Sequence, residues 1–298
     1  MRIVFFGTPS IAVRCLEKLK ESGKNIVAVV TVTDKEQGRG KKILPSPVKE
    51  FAIQNSIPVL QPESLKSEEF FTDLRALNAD LFIVVAFKIL PRSIFSMPKY
   101  GSFNLHGSLL PRYRGAAPIQ WAVINGDEVT GLTTFALADK VDTGNIYLMK
   151  SVEIEPEDNF GSLYEKMSVT GAEMVLETVE MIESGNYTLL PQNDELATPA
   201  PKITKETCQI DFTRSAKNIH NLVRGLSPSP GAFFVHEGKH YKVYKTSLAD
   251  MMLSPGEFAT TKKQIFVGTG EGTLEILEIQ PEGKKRMKAD EFLRGYKL

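Results

Sequence analysis

The chain has 298 residues, 42% hydrophobic and 24% charged, with 36 Lys and Arg balanced by 36 Asp and Glu. That length is too great for one ordinary core and suits two domains, and the composition is that of a globular chain, which excludes disordered and fibrous classes. Cys15 and Cys208 stand far apart with no Cys-x-x-Cys pattern, and no apolar run approaches a membrane span, so a disulfide framework, a thiolate metal site and a membrane protein are all excluded.

Ile3 to Phe6 reads as a short buried strand, cut by Gly7 and Pro9 before it could extend into a signal peptide. Ile11, Cys15, Leu16 and Leu19 then share one helical face, and Cys15 is expected to pack there. Ile26 to Val32 supplies a second strand. A polar segment with Gly38, Arg39, Gly40, Lys41 and Lys42 follows. Ser46-Pro47 has the form of an N-cap with proline first, and Ser67 before Glu68 and Glu69 repeats the start signal. Leu81 to Val85 is a further unbroken apolar strand. Strands alternating with helices predict a Rossmann-like, doubly wound parallel sheet in an α/β domain.

Thr133 to Leu137 and Ile146 to Leu148 are the next predicted strands, followed by a long helix from about Ser162 to Glu183, closed by Gly185. Pro191 to Pro201 carries no periodic pattern and reads as a linker. Beyond it, a helix around Ser215 to Gly225 leads into short strands at 232–235, 241–245, 264–267 and 274–279, the pattern of a small OB-like β-barrel. The expected domains are 1–189, a linker 190–206, and 207–298. From Thr207 to Leu298 the chain holds 14 Lys and Arg against 10 Asp and Glu, a net +4, which leaves −4 elsewhere.

The richest stretch is Gly101 to Gly115. A strand there places Asn104 and His106 two residues apart and so on one side, an amide and an imidazole suited to holding a carbonyl oxygen as it becomes an oxyanion. A lone histidine more often has a structural role; Asn104, Gly107 and the Leu110-Pro111 turn favour the functional one. His220, His236 and His240 have no partner at metal spacing and are expected at the surface or in packing. Asp142, in Asp142-Thr-Gly144, is a candidate proton acceptor, its alternative being an ordinary turn carboxylate; one such loop in an α/β setting does not make an aspartic protease. Gly7-Thr-Pro-Ser10 is not a dinucleotide fingerprint, and Gly268-Thr-Gly-Glu-Gly272 reads as a hairpin turn, so neither supports NAD or ATP.

Phe6-Gly-Thr-Pro9, Gly38-Arg-Gly-Lys-Lys42, Pro45-Ser-Pro-Val-Lys49, Asn104-Leu-His-Gly-Ser-Leu-Leu-Pro111, Arg114-Gly-Ala-Ala-Pro-Ile-Gln120 and Asp142-Thr-Gly144 together resemble the 10-formyltetrahydrofolate-dependent formyltransferases. Lys202-Ile-Thr-Lys205, Leu226-Ser-Pro-Ser-Pro-Gly-Ala232 and Leu277 to Met287 carry the likeness almost to the end. The resemblance implies Asn104, His106 and Asp142 as catalytic residues and no metal. It implies Ser108, Leu109, Leu110, Pro111, Phe87 and Lys88 at the folate. The Gly38 to Val48 segment and the second domain imply methionyl initiator tRNA as the acceptor. Arg39, Lys41 and Lys42 would then neutralise phosphates at its end, and Lys284, Lys285, Arg286 and Lys288 would grip its body.

Tetrahydrofolate is the expected product, the location cytoplasmic, and no obligatory protein partner is evident. The chain departs from the family at Ala86-Phe-Lys-Ile-Leu-Pro91, which lacks the usual glycine and is one residue shorter, and at Lys140, where glycine is common. Rival readings are an amino sugar or water as acceptor, an RNA-binding module on an inactive enzyme fold, and a nicotinamide dehydrogenase.

Overall fold

An unbroken apolar strand needs cover on both faces. In the computed structural model, which describes residues 1–37 and 42–298, Ile3, Val4, Phe5 and Phe6 are fully buried in strand β1 (Arg2–Gly7). Helix α1 (Ser10–Glu21) lays Ile11, Cys15, Leu16 and Leu19 into the core, as the spacing predicts, and burial pushes the Cys15 thiol far above its ordinary range. Strand β2 (Asn25–Val30) follows, then a backbone hairpin of Lys35–Gln37 with Lys42–Leu44. Helix α2 (Pro47–Gln54) starts where expected: the Ser46 hydroxyl accepts the Lys49 N–H at 3.1 Å. Strand β3 (Val59–Leu60), helix α3 (Glu68–Ala76, capped by Ser67), strand β4 (Leu81–Val85) and strand β5 (Ser102–His106) complete this half of the sheet.

Helix α4 (Pro118–Asn125) has no predicted counterpart, because it is apolar nearly all round and shows no helical period. Strands β6 (Val129–Ala136) and β7 (Ile146–Glu153) are both longer than the apolar pattern suggested. In β6 the core is reached by Thr130, Thr133 and Thr134, which interrupt the apolar run without leaving the strand. The edge strand β7 alternates buried or half-buried with exposed residues after Tyr147. Helix α5 (Phe160–Ser184) ends at Gly185, whose φ of +70° closes it.

The sheet runs β7-β6-β5-β4-β1-β2-β3. All neighbours from β5 to β3 are parallel, and β6 is antiparallel to β5. Growth begins at β1, proceeds to β3, then restarts on the other side with β4. The crevice beyond the carboxyl ends of β1 and β4 is therefore the topological switch point, where open α/β sheets bind ligands.

The chain divides into two compact units, one of Met1–Gly115, Gly131–Val152 and Glu165–Pro199, the other of Ala116–Thr130, Glu153–Tyr164 and Ala200–Leu298. In the second, helix α6 (Ala216–Gly225) is capped by Ser215 and buries Ile219, Leu222 and Val223. It leads to strands β8 (Ala232–His236), β9 (Lys239–Ala249), β10 (Phe258–Thr260), β11 (Ile265–Gly268) and β12 (Thr273–Pro281). These pair antiparallel in the order β8-β9-β12-β11-β10, with Met287–Lys288 on β12. The small β domain expected from the turn density is thus present as a six-stranded antiparallel sheet. Helix α7 (Ala289–Leu293) contributes Phe292 to its core. Helices α4 and α6 approach closely at Gly225, where an added Cβ would lie 2.5 Å from Ile124 Cγ1.

Candidate active site

Asn104 and His106 share one side of β5, flanked by β4 and β6 in a buried part of the sheet. His106 Nε2 lies 2.8 Å from the carbonyl of Tyr113. A carbonyl can only accept, so Nε2 carries the proton and Nδ1 is the nitrogen left for chemistry. Nδ1 stands 3.8 Å from Asp142 Oδ2, with both side chains nearly closed to solvent at 6% and 11% exposure. The ring meets Phe135 edge-on, which fixes its plane. The amide of Asn104 is half-buried and has no hydrogen-bond partner among the described residues.

Asp142 reaches this position from a loop in which its own φ is +56°, an uncommon conformation that Asp tolerates better than most residues. Its Oδ2 accepts the Gly115 N–H at 2.9 Å. Gly144 lies so close to β6 that a Cβ would sit 1.6 Å from the Ala136 carbonyl oxygen. The amide of Gln192 donates to the carbonyls of Asp142 (3.0 Å) and Gly144 (2.7 Å). Nothing in the sequence pointed to Gln192, which belongs to a stretch without periodicity.

The turn after β5 is held from within. The Ser108 hydroxyl is fully buried and donates to the Arg112 carbonyl at 2.6 Å, which commits it to the turn. The Thr133 hydroxyl donates to the Ser108 carbonyl at 2.7 Å and accepts the Leu110 N–H at 3.1 Å. Leu110 packs with Phe135 and Ile146, while Leu109 and Pro111 are half-buried. A buried threonine in an apolar strand is the kind of signal that could have singled out Thr133, since such hydroxyls must find partners.

Phe87 tilts against Phe6 with ring centroids 5.7 Å apart, so part of it serves the core. Lys88 is exposed and lines a hollow of about 420 Å³ with Glu63, Ser64, Leu65, Lys66, Ile89 and Pro91. Of the expected phosphate-binding cations, Arg39, Lys41 and the side chain of Lys42 lie outside the described residues. The base of their segment is anchored by Asp34, whose carboxylate accepts from Lys49 at 2.6 Å and Gln61 at 2.8 Å. Those two hydrogen bonds, the Lys49 one first, hold the Asp34 carboxyl below its ordinary pKa. Lys284, Lys285, Arg286 and Lys288 are exposed in the second unit. Arg286 is already engaged: it pairs with Glu278 and covers the Tyr244 ring at 4.6 Å.

The model of the family described as formyl transferase matches residues 1–179, and that of the formyl transferase C-terminal domain matches residues 202–297. The chain belongs to the formyltransferase family. Within it, the methionyl-tRNA formyltransferase of Thermodesulfovibrio yellowstonii is 46% identical over 297 residues, covering 99% of this chain and 96% of the relative. That of Caldanaerobacter subterraneus subsp. tengcongensis is 45% identical, covering 100% and 98%.

Formyltransferase architecture also appears in solved structures. WlaRD, a sugar 3N-formyl transferase, superposes with a TM-score of 0.70 at 20% identity, covering 96% of this chain and 99% of that one. HypX from Aquifex aeolicus in complex with tetrahydrofolic acid gives 0.69 at 19%; it covers 99% of this chain, which spans about half the length of HypX. At such identities the likeness is one of fold.

Proposed function

We propose that this formyltransferase moves the formyl group of 10-formyltetrahydrofolate onto the α-amine of methionyl initiator tRNA, for translation initiation. The observation that carries the chemistry is the buried approach of His106 Nδ1 to Asp142 beside Asn104. The acceptor follows from full-length relatives named methionyl-tRNA formyltransferase.

The hollow by the 86–91 loop sets apolar Leu65, Ile89 and Pro91 beside Lys66, Lys88 and Glu63, and its apolar side chains and two cations support a folate, an aromatic amide with an anionic tail, as its occupant. Phe87, Lys88 and the turn Ser108, Leu109, Leu110 and Pro111 are its proposed neighbours, with Ser108 acting through the backbone shape it maintains. The acceptor amine attacks the formyl carbon, the carbonyl becomes an oxyanion, and the bond to the folate nitrogen breaks. Asn104 donates to that oxyanion. His106 can add a second donor through Nδ1 when that nitrogen carries the proton taken from the amine; Nε2 stays on Tyr113. Asp142 and His106 take the proton from the amine and return one to the departing nitrogen.

Residues 1–189 carry the chemistry in this reading, 190–206 connect, and 207–298 hold RNA through Lys284, Lys285, Arg286 and Lys288, with Arg39, Lys41 and Lys42 at the acceptor end. Among the described residues no helix is long and apolar enough to cross a membrane, and we place the protein in the cytoplasm.

The test is to supply the protein with 10-formyltetrahydrofolate and either methionyl initiator tRNA, methionyl elongator tRNA or free methionine, and to follow formyl-methionine by mass. Rapid formylation of the initiator species alone is expected. No transfer to any of the three would overturn the acceptor assignment.

A further inference from the structure

We infer that Gln192 is a positioning residue for Asp142, and that Arg114 sets its orientation. This rests on the formyl-transfer reading above. Gln192 lies 50 residues along the chain from Asp142, yet its side-chain amide spans the two carbonyls that flank Thr143, at 3.0 Å to Asp142 and 2.7 Å to Gly144. Both contacts need the NH2 end of the amide. The carbonyl end is fixed independently: Gln192 Oε1 accepts from Arg114 Nε at 3.2 Å and from Arg114 Nη2 at 2.7 Å. Arg114 Nη2 is itself held by Asp194 at 2.6 Å. A guanidinium cannot accept and a backbone carbonyl cannot donate, so the network admits one orientation of the amide.

These contacts close a ring. The backbone N–H of Gly115, next to Arg114 in the chain, donates to the Asp142 carboxylate at 2.9 Å. One short segment therefore holds the Asp142 side chain through its backbone and the Asp142 main chain through Arg114 and Gln192. The loop requires such a hold, because Asp142 sits at φ +56° and Gly144 has no room to shift toward Ala136. What the ring fixes is the direction of the carboxylate toward His106 Nδ1, 3.8 Å away. Misplacement of a catalytic carboxylate on that scale lowers turnover while leaving substrate binding largely intact.

A role confined to tethering the 192–194 segment predicts a different response to substitution. Gln192→Glu keeps the size of the side chain and strengthens the pairing with Arg114, but removes both donors to the loop. If Gln192 acts only as a tether, this variant is as active as wild type. If it positions Asp142, kcat falls by roughly tenfold or more while KM for folate and for tRNA stays within about threefold, and Gln192→Met does the same. In an Asp142→Asn background the same Gln192 substitutions cost less than about threefold, because the group they orient is already disabled.

Wild type, the two single variants, Asp142→Asn and the doubles are assayed together, with circular dichroism to select the folded proteins; either Gln192 variant suffices. Wild-type turnover in Gln192→Glu, or an undiminished loss in the Asp142→Asn background, overturns the assignment. A wild-type protein that forms no formyl-methionyl-tRNA overturns the parent reading and this one with it, so the two failures are told apart.

Discussion

The Nε2–H of His106 rests on the Tyr113 carbonyl at 2.8 Å, and this bond decides which nitrogen faces Asp142. Asp142→Asn is the sharpest probe of that arrangement. The asparagine oxygen can still accept the Gly115 N–H, so the loop keeps its anchor, but the carboxylate that faces His106 Nδ1 and can take a proton is gone. Turnover is expected to drop about a hundredfold or more, on the scale of a lost oxyanion donor, with the folded structure retained. Single-turnover formyl transfer, read beside Asn104→Ala, checks it; a variant within about threefold of wild type would remove Asp142 from the mechanism.

Thr133 offers a test of the turn rather than of the chemistry. Its hydroxyl bridges the Ser108 carbonyl and the Leu110 N–H, both buried. Thr133→Val keeps the volume and β preference but leaves that N–H without its acceptor, at a cost of about 1–3 kcal/mol. A lowered urea midpoint with unchanged slope is the expected readout, together with a raised KM for the folate. Thr133→Ser, which restores the hydroxyl, should recover most of the loss.

Much of the fold was legible because its signals are local. Ser46 and Ser67 announce helix starts, and their hydroxyls accept the Lys49 and Phe70 N–H groups. The apolar runs Ile3 to Phe6 and Leu81 to Val85 announce buried parallel strands. The reach of β6 back to Val129 was not legible, since Thr130 and Gly131 interrupt the apolar pattern before Thr133, although Thr130 is buried in the sheet. Helix α4 was hidden by the opposite fault, an apolar surface with no polar face to set a period. At the site, period-two spacing placed Asn104 and His106 together, whereas the pairing of His106 with Asp142 is a tertiary contact that spacing does not encode. Gln192 was out of reach for the same reason, its function being visible only once two backbone carbonyls are seen in front of it.

His220 gives a prediction about acid stability. Burial, with Arg224 beside it, depresses its pKa below the ordinary 6.5, and its Nδ1 lies 2.9 Å from the Thr246 hydroxyl. The unfolded chain then takes up the proton first as the pH falls. Stability contributed by neutral His220 is whole above about pH 6.5 and declines below it, until the folded protein also titrates. Comparing urea unfolding at pH 7.5 and 5.5, the wild type should lose more stability than His220→Gln. Equal losses in the two proteins would show that His220 does not carry the effect.

The exposed cations of the second unit are expected to divide unequally in RNA binding. Lys284, Lys285 and Lys288 project from the segment around β12. Arg286 must give up Glu278 and the Tyr244 face before it can serve a phosphate with its full charge. Each lysine that neutralises a phosphate contributes roughly 0.7 to 0.9 to the slope of log affinity against log salt, so Lys284→Ala, Lys285→Ala and Lys288→Ala should each flatten that slope by about that amount. Arg286→Ala should flatten it less, because Arg286 is already held by Glu278 and the Tyr244 ring and so neutralises less of a phosphate's charge. Folate KM, which depends on the other unit, should be the same in all four variants. The measurement is filter binding of methionyl initiator tRNA across a salt series; four unchanged slopes would place the RNA elsewhere on the protein.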